Sequence, residues 1–333
     1  MPSALVTGAT GFVGSNLVAN LRQRNWEVGG LVRDVPRAAA LEPLGATLHL
    51  GTLGNAESLE QAMAGVDYVF HVAGRVRALN DRQFTADNVV GTRNVVEAAA
   101  AQTEPPVVVL VSSLAAGGPS KPGGPRCESD NDQPISAYGH SKLAAERAAA
   151  ELADKVPISI VRPPIIFGPA DKASLAIFRG IQLLHLHPVP GFRRFPISLV
   201  HVADLCDAMI RIAERGKRVA PTNSTDAIYH VAAERTITYS ELGKLAAQSL
   251  DCAGIALPLP KAFFWLVGGV METLGQIRRQ PGVLNFDKVR EAVATGWECN
   301  DEKIRRELDY QPAATLEERF AETATWYREQ GWL

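Results

Sequence analysis

The chain has 333 residues, of which 46% are hydrophobic and 21% are charged, and its formal net charge is -2. This composition is typical of a soluble globular protein. The charge gives no reason to expect binding to nucleic acid or to an anionic membrane rather than to small molecules. The length accommodates one large α/β domain and a smaller lobe.

The four cysteines are scattered, which argues against a disulfide framework or a metal site and predicts a reducing, cytoplasmic location. Because the first strand is expected to begin by Ser3, no room is left for a signal peptide. The longest apolar stretch, residues 262–270, is shorter than the ~20 residues that span a bilayer, so no transmembrane segment is expected. We expect a buried helix there, with peripheral membrane contact as the alternative.

Strand and helix patterns alternate through the first half of the chain. Strands are predicted at 3–7, 27–32, 46–50, 67–72, 107–112 and 157–162, with helices at 12–24, 35–43, 55–64, 81–102 and 138–154. The strands are mostly continuous apolar runs, which is typical of parallel strands buried on both faces. The alternation predicts an α/β fold with a doubly wound parallel sheet of the Rossmann type, whose ligands bind beyond the carboxyl ends of the strands.

The pattern becomes less regular toward the carboxyl terminus. An irregular segment is expected at 180–198, a helix at 200–213, a strand at 228–231, and helices with loops over 235–333. We therefore predict a Rossmann domain of residues 1–167 that also receives 199–232. Residues 168–198 and 233–333 are predicted to form a smaller, mostly helical substrate lobe.

The first predicted strand runs into a turn with regularly spaced glycines, Gly8, Gly11 and Gly14, and then into a helix. Such a turn is typical of a phosphate-binding site, because the free N–H groups and the dipole of the helix N-terminus attract an anion. Gly8 is expected to make the turn, Gly11 to admit a pyrophosphate, and Gly14 to let helix and strand pack closely. The alternative is a glycine-rich turn without a ligand.

Tyr138 and Lys142 lie four residues apart on a predicted helix, so their side chains share one face. A tyrosine that acts as a general acid or base near neutral pH needs a pKa ~2–3 units below its usual value of about 10. A neighbouring ammonium group has the right charge to lower that pKa. The alternative is an exposed pair that merely lies one turn apart.

Ser112 and Ser113 stand at the end of the predicted strand that begins at Val107. One of these hydroxyls is suited to hydrogen-bond a substrate carbonyl or alkoxide and so to hold the reacting carbon in place. The alternative is a pair of serines that cap a turn.

The Thr-Gly-x-x-Gly-x-x-Gly turn, the Ser-Ser strand end and the Tyr-x-x-x-Lys helix together resemble those of the extended short-chain dehydrogenases/reductases. Further matching segments are His71-Val-Ala-Gly74, Asn88-Val-Val-Gly-Thr-Arg-Asn94, Val161-Arg-Pro-Pro-Ile-Ile-Phe-Gly168 and Leu199-Val-His-Val-Ala-Asp204. The resemblance covers nearly the whole chain. It is greatest for the branch that contains dihydroflavonol reductases, cinnamoyl-CoA reductases and 3β-hydroxysteroid dehydrogenases.

This resemblance implies that Ser113, Tyr138 and Lys142 are the catalytic residues. Tyr138 is expected to transfer the proton, while Lys142 lowers the pKa of Tyr138 and binds the nicotinamide ribose. Asn88 is expected either to support this site or only to tie loops together. The residues implied to bind the cofactor are Gly8, Gly11, Phe12, Val13, Gly14, Arg33, Asp34, Thr52, Leu53, Val72, Ala73, Gly74, Ser112, Tyr138, Lys142, Pro163, Ile165 and Ile166.

Arg33 and Asp34 adjoin at the end of the second strand, where the family selects its cofactor. An arginine there pairs with the 2′-phosphate of NADP, whereas an acidic residue accepts from the ribose 2′-hydroxyl of NAD. We predict NADP, with NAD as the alternative, because Arg33, assisted by Arg37, gains bidentate contacts to a phosphate. Thr52 stands where the family usually has an aspartate that binds adenine, and Leu53 is expected to offer its backbone to the ring.

Three functions are compatible with these motifs. The leading hypothesis is an NADP(H)-dependent reductase or dehydrogenase that interconverts a ketone or aldehyde and an alcohol on a small, rather apolar substrate. The second is a nucleotide-sugar epimerase or dehydratase with tightly held NAD, whose substrate diphosphate would meet Arg179, Arg193 and Arg194. The third is a non-catalytic NAD(P)-sensing protein on the same fold.

Alanine-rich helices at 81–102 and 138–154 predict a homodimer, because small residues let two helices approach closely. The alternative is that these helices pack only against the sheet of their own chain. The specificity for one substrate is expected to depend on the loop at 117–137 and on the lobe, where no spacing rule applies.

Overall fold

The computed structural model describes residues 1–121, 123–193, 195–220, 225–282 and 284–333, without the side chains of Val35, Arg37 and Ala40. The roles predicted for Arg37 and Arg194 therefore lie outside the described residues. The strands are β1 (Ser3–Thr7), β2 (Glu27–Val32), β3 (Thr47–Leu50), β4 (Tyr68–His71), β5 (Val107–Val111), β6 (Ile158–Arg162), β7 (Ile165–Phe167), β8 (Leu186–Pro190), β9 (Pro196–Ile197), β10 (Leu199–His201), β11 (Ile228–His230), β12 (Ile237–Thr238) and β13 (Ile255–Leu259).

Helices connect most of these strands. They are α1 (Phe12–Gln23), α2 (Val35–Ala38), α3 (Ala56–Met63), α4 (Asp81–Phe84), α5 (Gly91–Ala100), α6 (Leu114–Gly117), α7 (Ala137–Ala150), α8 (Lys172–Leu184), α9 (Val202–Arg215), α10 (Tyr239–Ser249), α11 (Lys261–Arg278), α12 (Phe286–Ala292), α13 (Glu302–Leu308) and α14 (Leu316–Glu329). Two 3₁₀ segments (Ala39–Leu44 and Thr225–Ala227) and one π-helical segment (Thr85–Val90) complete the regular structure of the described residues.

Strands β1 to β6 and β11 form one parallel sheet in the order β11-β6-β5-β4-β1-β2-β3. The predicted doubly wound α/β fold is thereby confirmed. Each of the six strands predicted in the first half of the chain is present within one residue of its predicted ends, and so is the strand predicted at 228–231. Three two-stranded sheets, β7 with β10, β8 with β13 and β9 with β12, lie outside the large sheet in the described part of the chain.

Apolar helices cover both faces of the sheet, which explains why its strands are continuous apolar runs. On one face, Leu17 and Leu21 of α1 pack in a cluster with Val6 of the central strand. On the other face, Leu59 of α3 packs in a cluster with Leu5. Full burial of a side chain of this size contributes ~1.5–3 kcal/mol relative to exposure, so both layers stabilise the sheet.

A third apolar cluster lies away from the sheet, among helices α8, α10 and α14. Phe178, Leu245 and Phe320 are buried there together. The predicted division into a Rossmann domain and a substrate lobe stays a prediction.

Two predicted helices are interrupted. The helix predicted at 35–43 ends at Ala38 and continues as a 3₁₀ segment that contains Pro43, because proline has no N–H to donate within a helix. The helix predicted at 81–102 is divided by the π-helical segment Thr85–Val90, which adds an extra residue to the turn around Asn88.

The expectations for the second half of the chain were less accurate. The helix predicted at 200–213 begins at Val202, because Leu199–His201 pairs with β7 and the His201 side chain accepts a hydrogen bond from Ala203 N–H. The segment expected to be irregular contains the end of α8 and strands β8 and β9. Strand β13 pairs with β8 where only helices and loops were expected.

The apolar stretch at 262–270 lies in helix α11, but the helix is not buried as predicted. Phe263, Leu266 and Val270 are exposed to solvent. Within the part of the chain that the structure describes, no helix combines the length and the apolar character that a membrane crossing requires.

The turn after β1 brings backbone segments together so closely that only glycine fits. Gly8 has a φ of 71°, and a Cβ there would lie 2.8 Å from the Ala73 backbone at the end of β4. A Cβ on Gly14 would lie 2.1 Å from the Gly8 carbonyl oxygen. Gly8 and Gly14 thus have the roles expected of them, and the turn fixes where α1 begins relative to the sheet.

We predict that Gly14→Ala destabilises the protein by about 1–3 kcal/mol, because the added methyl group forces α1 away from the turn. Urea unfolding measures the loss. Gly180→Ala is the matched control, since a Cβ at Gly180 in α8 would be 3.7 Å from the nearest atom beyond the backbone of its own helix, the Leu186 carbonyl oxygen. This control is expected to be neutral or stabilising by up to about 1 kcal/mol. Equal stability of the two variants would contradict the close packing at Gly14.

Candidate active site

The candidate site lies where the central strands end. The parallel register places Thr7 of β1 beside His71 of β4, and His71 beside Leu110 of β5. The carboxyl ends of these three strands therefore meet at one edge of the sheet. The residues that follow them are those that the sequence motifs single out.

The N-terminus of α1 is suited to bind an anion. Gly11 is the N-cap residue, no described side chain caps the helix, and its first turn contains no acidic residue. The half-buried Phe12 and Val13 follow in that first turn. Because the N–H groups of a first helical turn have no partner within the helix, this end fits the pyrophosphate of a dinucleotide.

Lys142 lies at the centre of this edge. Its side chain is buried in α7, and its Nζ donates a hydrogen bond of 2.7 Å to the Val111 carbonyl at the end of β5. A Cβ on Gly74 would lie 3.6 Å from the same Nζ, so the loop after β4 also adjoins it. Burial lowers the pKa of Lys142 to about 8, while Glu146 acts in the opposite direction.

Tyr138 and Ser113 meet one helical turn away from Lys142. Burial raises the pKa of Tyr138 to about 12, and a hydrogen bond with the Ser113 side chain lowers it in part. The expectation that Lys142 lowers the pKa of Tyr138 was therefore wrong. The reason is that desolvation of the phenolate outweighs the hydrogen bond, while the Lys142 ammonium is directed to a carbonyl.

The two serines at the end of β5 differ in their surroundings. Ser113 faces Tyr138 and also caps α6 by accepting a hydrogen bond from Ala115 N–H at 3.2 Å. The Ser112 hydroxyl instead donates to the Glu146 carboxylate, which forms an ion pair with Arg162. A contact between Ser112 and a cofactor is therefore expected through its main chain.

Asn88 ties the loop after β4 to helix α7. Its side-chain oxygen accepts from Arg75 N–H at 2.7 Å, and its side-chain nitrogen donates to the Arg75 carbonyl and to Ser141 Oγ. Asn88 is buried in the π-helical segment, whose extra residue aims it at these partners. It therefore ties loops together, and the loop it holds is the one that adjoins Lys142.

His71 holds two neighbouring elements together below this loop. Its two ring nitrogens lie 2.7 Å from Thr7 Oγ1 and 3.0 Å from Thr92 Oγ1. Burial, with a smaller contribution from the Lys142 charge, lowers the pKa of His71 to about 3. The ring therefore stays neutral and serves as a hydrogen-bonded link between β1, β4 and α5.

The remaining predicted cofactor residues lie around this edge. Arg33 and Asp34 are exposed at the end of β2, and Thr52 is exposed after β3. The Leu53 carbonyl accepts a hydrogen bond from Asn94, so its N–H is the backbone group expected to meet the adenine. Val72, Ala73 and Gly74 follow β4, while Pro163, Ile165 and Ile166 follow β6, where the Pro163 carbonyl accepts from Leu114 N–H.

The short helix α12, which lies in the region where helices with loops were expected, covers the start of α7. The Asp287 carboxylate of α12 accepts hydrogen bonds from Ala137 N–H at 2.6 Å and Tyr138 N–H at 3.1 Å. Lys288 Nζ lies 4.4 Å from the centre of the Tyr138 ring and 2.8 Å from Glu291. No sequence signal marks these residues, because they lie about 150 positions from Tyr138 and follow no motif.

The comparison with known proteins agrees with this geometry. Residues 4–232 match the model of the NAD dependent epimerase/dehydratase family. The chain belongs to this family. The finding confirms the resemblance to the extended short-chain dehydrogenases/reductases and the interpretation that the chain is an NAD(P)-dependent oxidoreductase.

Relatives of this family member include both reductases and epimerases. A ceramide reductase of Caulobacter vibrioides (strain NA1000 / CB15N) is 29% identical over 98% of this chain and 95% of its own length. A UDP-glucose 4-epimerase of Vibrio cholerae is 26% identical over 97% of this chain and 94% of its own length. The crystal structure of gox2253 superposes over 100% of both chains with a TM-score of 0.80 and 25% identity. The alternative of a non-catalytic sensor is not supported.

We predict that Asp287→Ala lowers the free energy of unfolding by about 1–2 kcal/mol, because two N–H groups at the start of α7 lose their acceptor. Chemical denaturation measures this loss. Asp154→Ala, an exposed aspartate after the same helix, serves as the control and is expected to stay within about 0.5 kcal/mol of the parent. If both variants were equally stable, Asp287 would not anchor α12 to α7.

Proposed function

We propose that this protein is an NADP(H)-dependent reductase that converts an apolar ketone or aldehyde to an alcohol, with Tyr138 as the proton donor. The observation that carries the proposal is the arrangement of Tyr138, Ser113 and Lys142 beside the glycine turn. A proton donor, a hydroxyl that orients the substrate, and a buried cation thus adjoin a site suited to a dinucleotide.

Tyr138 is protonated at neutral pH. Burial raises its pKa to about 12, so the hydroxyl carries the proton that a carbonyl oxygen receives on reduction, and the phenolate left behind has to be stabilised. The Ser113 hydroxyl is placed to orient that oxygen, because it already hydrogen-bonds to Tyr138. Lys142, with a pKa of about 8, is mostly protonated at neutral pH and stabilises negative charge that develops on Tyr138.

The cofactor is assigned to the glycine turn and to the end of β2. When bound, NADPH supplies the hydride. The N-terminus of α1 would hold the pyrophosphate, and the exposed Arg33 would pair with the 2′-phosphate. Lys142 would bind the nicotinamide ribose, as in the family that the sequence resembles.

The surroundings of Tyr138 support an apolar substrate. The Phe84 ring lies 6.2 Å from the Tyr138 ring. Phe84 also lines a cavity of about 260 Å³, together with Leu79, Ala137 and Phe286. The Leu79, Phe84 and Phe286 side chains offer apolar surface next to α7, while Asp81, Glu272, Asp287 and Arg290 line the same cavity and would meet the polar part of a substrate.

A nucleotide-sugar epimerase with tightly held NAD is the second candidate. Arg193 and Lys244 line a larger cavity of about 520 Å³ with Phe192 and Tyr239, and two cations suit a diphosphate. Arg179 instead donates to the Trp332 carbonyl. Denaturing the purified protein and identifying the released nucleotide separates the candidates: stoichiometric NAD supports the epimerase, and a readily lost cofactor with a preference for NADPH supports the reductase.

The predicted homodimer and the cytoplasmic location remain proposals. Five of the alanines that predict the dimer, Ala98, Ala99, Ala145, Ala148 and Ala149, are buried within the chain itself. Their small size therefore already serves the packing of α5 and α7 inside one subunit. A dimer through these helices would have to use their other faces.

We predict that Tyr138→Phe lowers kcat for ketone reduction by about 10²–10⁴-fold, because the proton donor is lost. The affinity for NADPH, measured by fluorescence titration, is expected to stay unchanged. Tyr68→Phe at the opposite end of β4 is the matched control and is expected to keep full activity. Unchanged turnover of Tyr138→Phe on an accepted ketone would contradict the proposal.

We predict that Arg33→Gln weakens NADPH binding by about 10–100-fold, as expected for the loss of a charge-assisted bond of ~1.5–3 kcal/mol. Binding of NADH, which has no 2′-phosphate, is expected to change little. Arg24→Gln removes an exposed arginine at the end of α1 and serves as the control. Equal losses of NADPH and NADH affinity in Arg33→Gln would argue against a contact with the 2′-phosphate.

A further inference from the structure

Helix α11 carries a continuous apolar stripe on its solvent side. Its members are exposed and recur at intervals of three or four residues, so they share one face. They are Phe263, Leu266, Val270, Leu274 and Ile277, and the exposed fractions of Leu266 and Ile277 are 68% and 74%. The opposite face packs through small residues: a Cβ on Gly268 would lie 2.6 Å from Val289 of α12.

The strand that precedes α11 in the chain also has exposed apolar side chains. Ile255 and Leu257 alternate along β13 and are both exposed. The Ile255 N–H donates to the His185 carbonyl, directly after the exposed Leu183 and Leu184 at the end of α8. We call α11 together with these residues of β13 and α8 the apolar face.

Most of the basic side chains around α11 are exposed to solvent, whereas the acidic ones are not. Residues 261–292 contain five basic and three acidic residues, a net charge of +2, whereas the whole chain has -2. The exposed ionisable side chains in the described part of this segment are all basic, namely Lys261, Arg278, Arg279 and Arg290.

The three acidic residues of this segment are directed into the protein. Glu272 accepts from Phe286 N–H, and Asp287 accepts from Ala137 N–H and Tyr138 N–H. Glu291 accepts from the Ser136 hydroxyl. The solvent side of the segment therefore combines large apolar side chains with positive charge at both ends of the helix, although the Lys261 ammonium at the first end also donates to the Val293 carbonyl.

We propose that the apolar face binds the surface of an anionic lipid bilayer, with α11 lying in the plane of the interface. Five large apolar side chains on one face and lysine or arginine at the helix ends are what such binding requires, because the aliphatic parts enter the lipid while the charges reach the headgroups. A second copy of the chain fits less well: a two-fold contact through this face would bring the basic residues of both copies together.

A cavity lies between α11 and the start of α7. It has a volume of about 260 Å³ and is bounded by Glu272 of α11 and Phe286 of α12 on one side and by Phe84 and Ala137, the residue before Tyr138, on the other, with Asp81, Asp287 and Arg290 also in its lining. A substrate dissolved in the bilayer would reach Tyr138 by way of this cavity. This inference about the substrate rests on the proposed function. It identifies the substrate of the proposed reductase as an apolar ketone dissolved in the membrane.

Vesicle flotation tests the binding directly. The full-length protein with NADPH is mixed with vesicles of phosphatidylcholine alone or with phosphatidylglycerol added. We expect it to float with the anionic vesicles and to be released as the salt concentration rises. The double variant Leu266→Gln/Val270→Gln is expected to lose at least tenfold in vesicle affinity. Leu50→Gln, which changes a leucine of 67% exposure at the end of β3, is expected to bind like the parent.

A second pair of variants tests the charges. Arg278→Gln and Arg279→Asn are combined, with asparagine chosen because residue 279 has a left-handed backbone with a φ of 54°. Each lost charge is expected to weaken binding to anionic vesicles about fivefold. Arg306→Gln removes an arginine of 73% exposure on α13 and is the control.

The outcomes separate this inference from the proposed function. Absence of flotation, or a change from dimer to monomer in Leu266→Gln/Val270→Gln without any vesicle binding, would overturn the membrane proposal. If the same variant then reduced a ketone in detergent solution at the parental rate, the proposed reductase function would still stand. Flotation by a protein that reduces no ketone would refute the reductase and keep the membrane surface.

Discussion

The arrangement of the whole site depends on one close backbone contact. The turn at Gly8 touches both the start of α1, at Gly14, and the end of β4, at Ala73, with no space for a side chain at either glycine. Because three segments meet there through their main chains, the N-terminus of α1 is held at the edge where the central strands end. A side chain at these positions would move the anion site relative to Lys142 and Tyr138, and with it the whole spacing of the active site.

Burial shifts the pKa values of Tyr138 and Lys142, the two titratable groups at this edge of the sheet, in opposite directions. It raises the pKa of Tyr138 and lowers that of Lys142, because the charged form of each loses hydration. The charge of Glu146 opposes this effect for the lysine, and the Ser113 hydrogen bond opposes it for the tyrosine. The edge thus holds a protonated phenol near a buried ammonium, and proton transfer from Tyr138 depends on stabilising the phenolate that forms.

The sheet and most of the site could be predicted because their signals are local. A strand buried on both faces is recognisable from its own residues, and Gly8 or Lys142 stands at a fixed distance from its neighbours in a motif. Asp287 and Lys288 could not be predicted, since their contacts with α7 join residues about 150 positions apart. Strand β13 was missed for the same reason: its partner β8 is remote, and Pro258 within it argues against a strand.

The failure at α11 has a different physical origin. A run such as Phe263 to Val270 indicates a buried helix when large residues form the packed face, which is the usual case. In α11 the two fully buried residues are glycines, Gly268 and Gly275, whereas Leu266 and Val270 are exposed. Glycine in a helix interior is unfavourable by about 0.5–1 kcal/mol relative to alanine, and exposed leucine forgoes the gain from burial. A helix with both features gains stability from its outward face only when apolar material covers that face, and this requirement is the physical reason to look for a bilayer there.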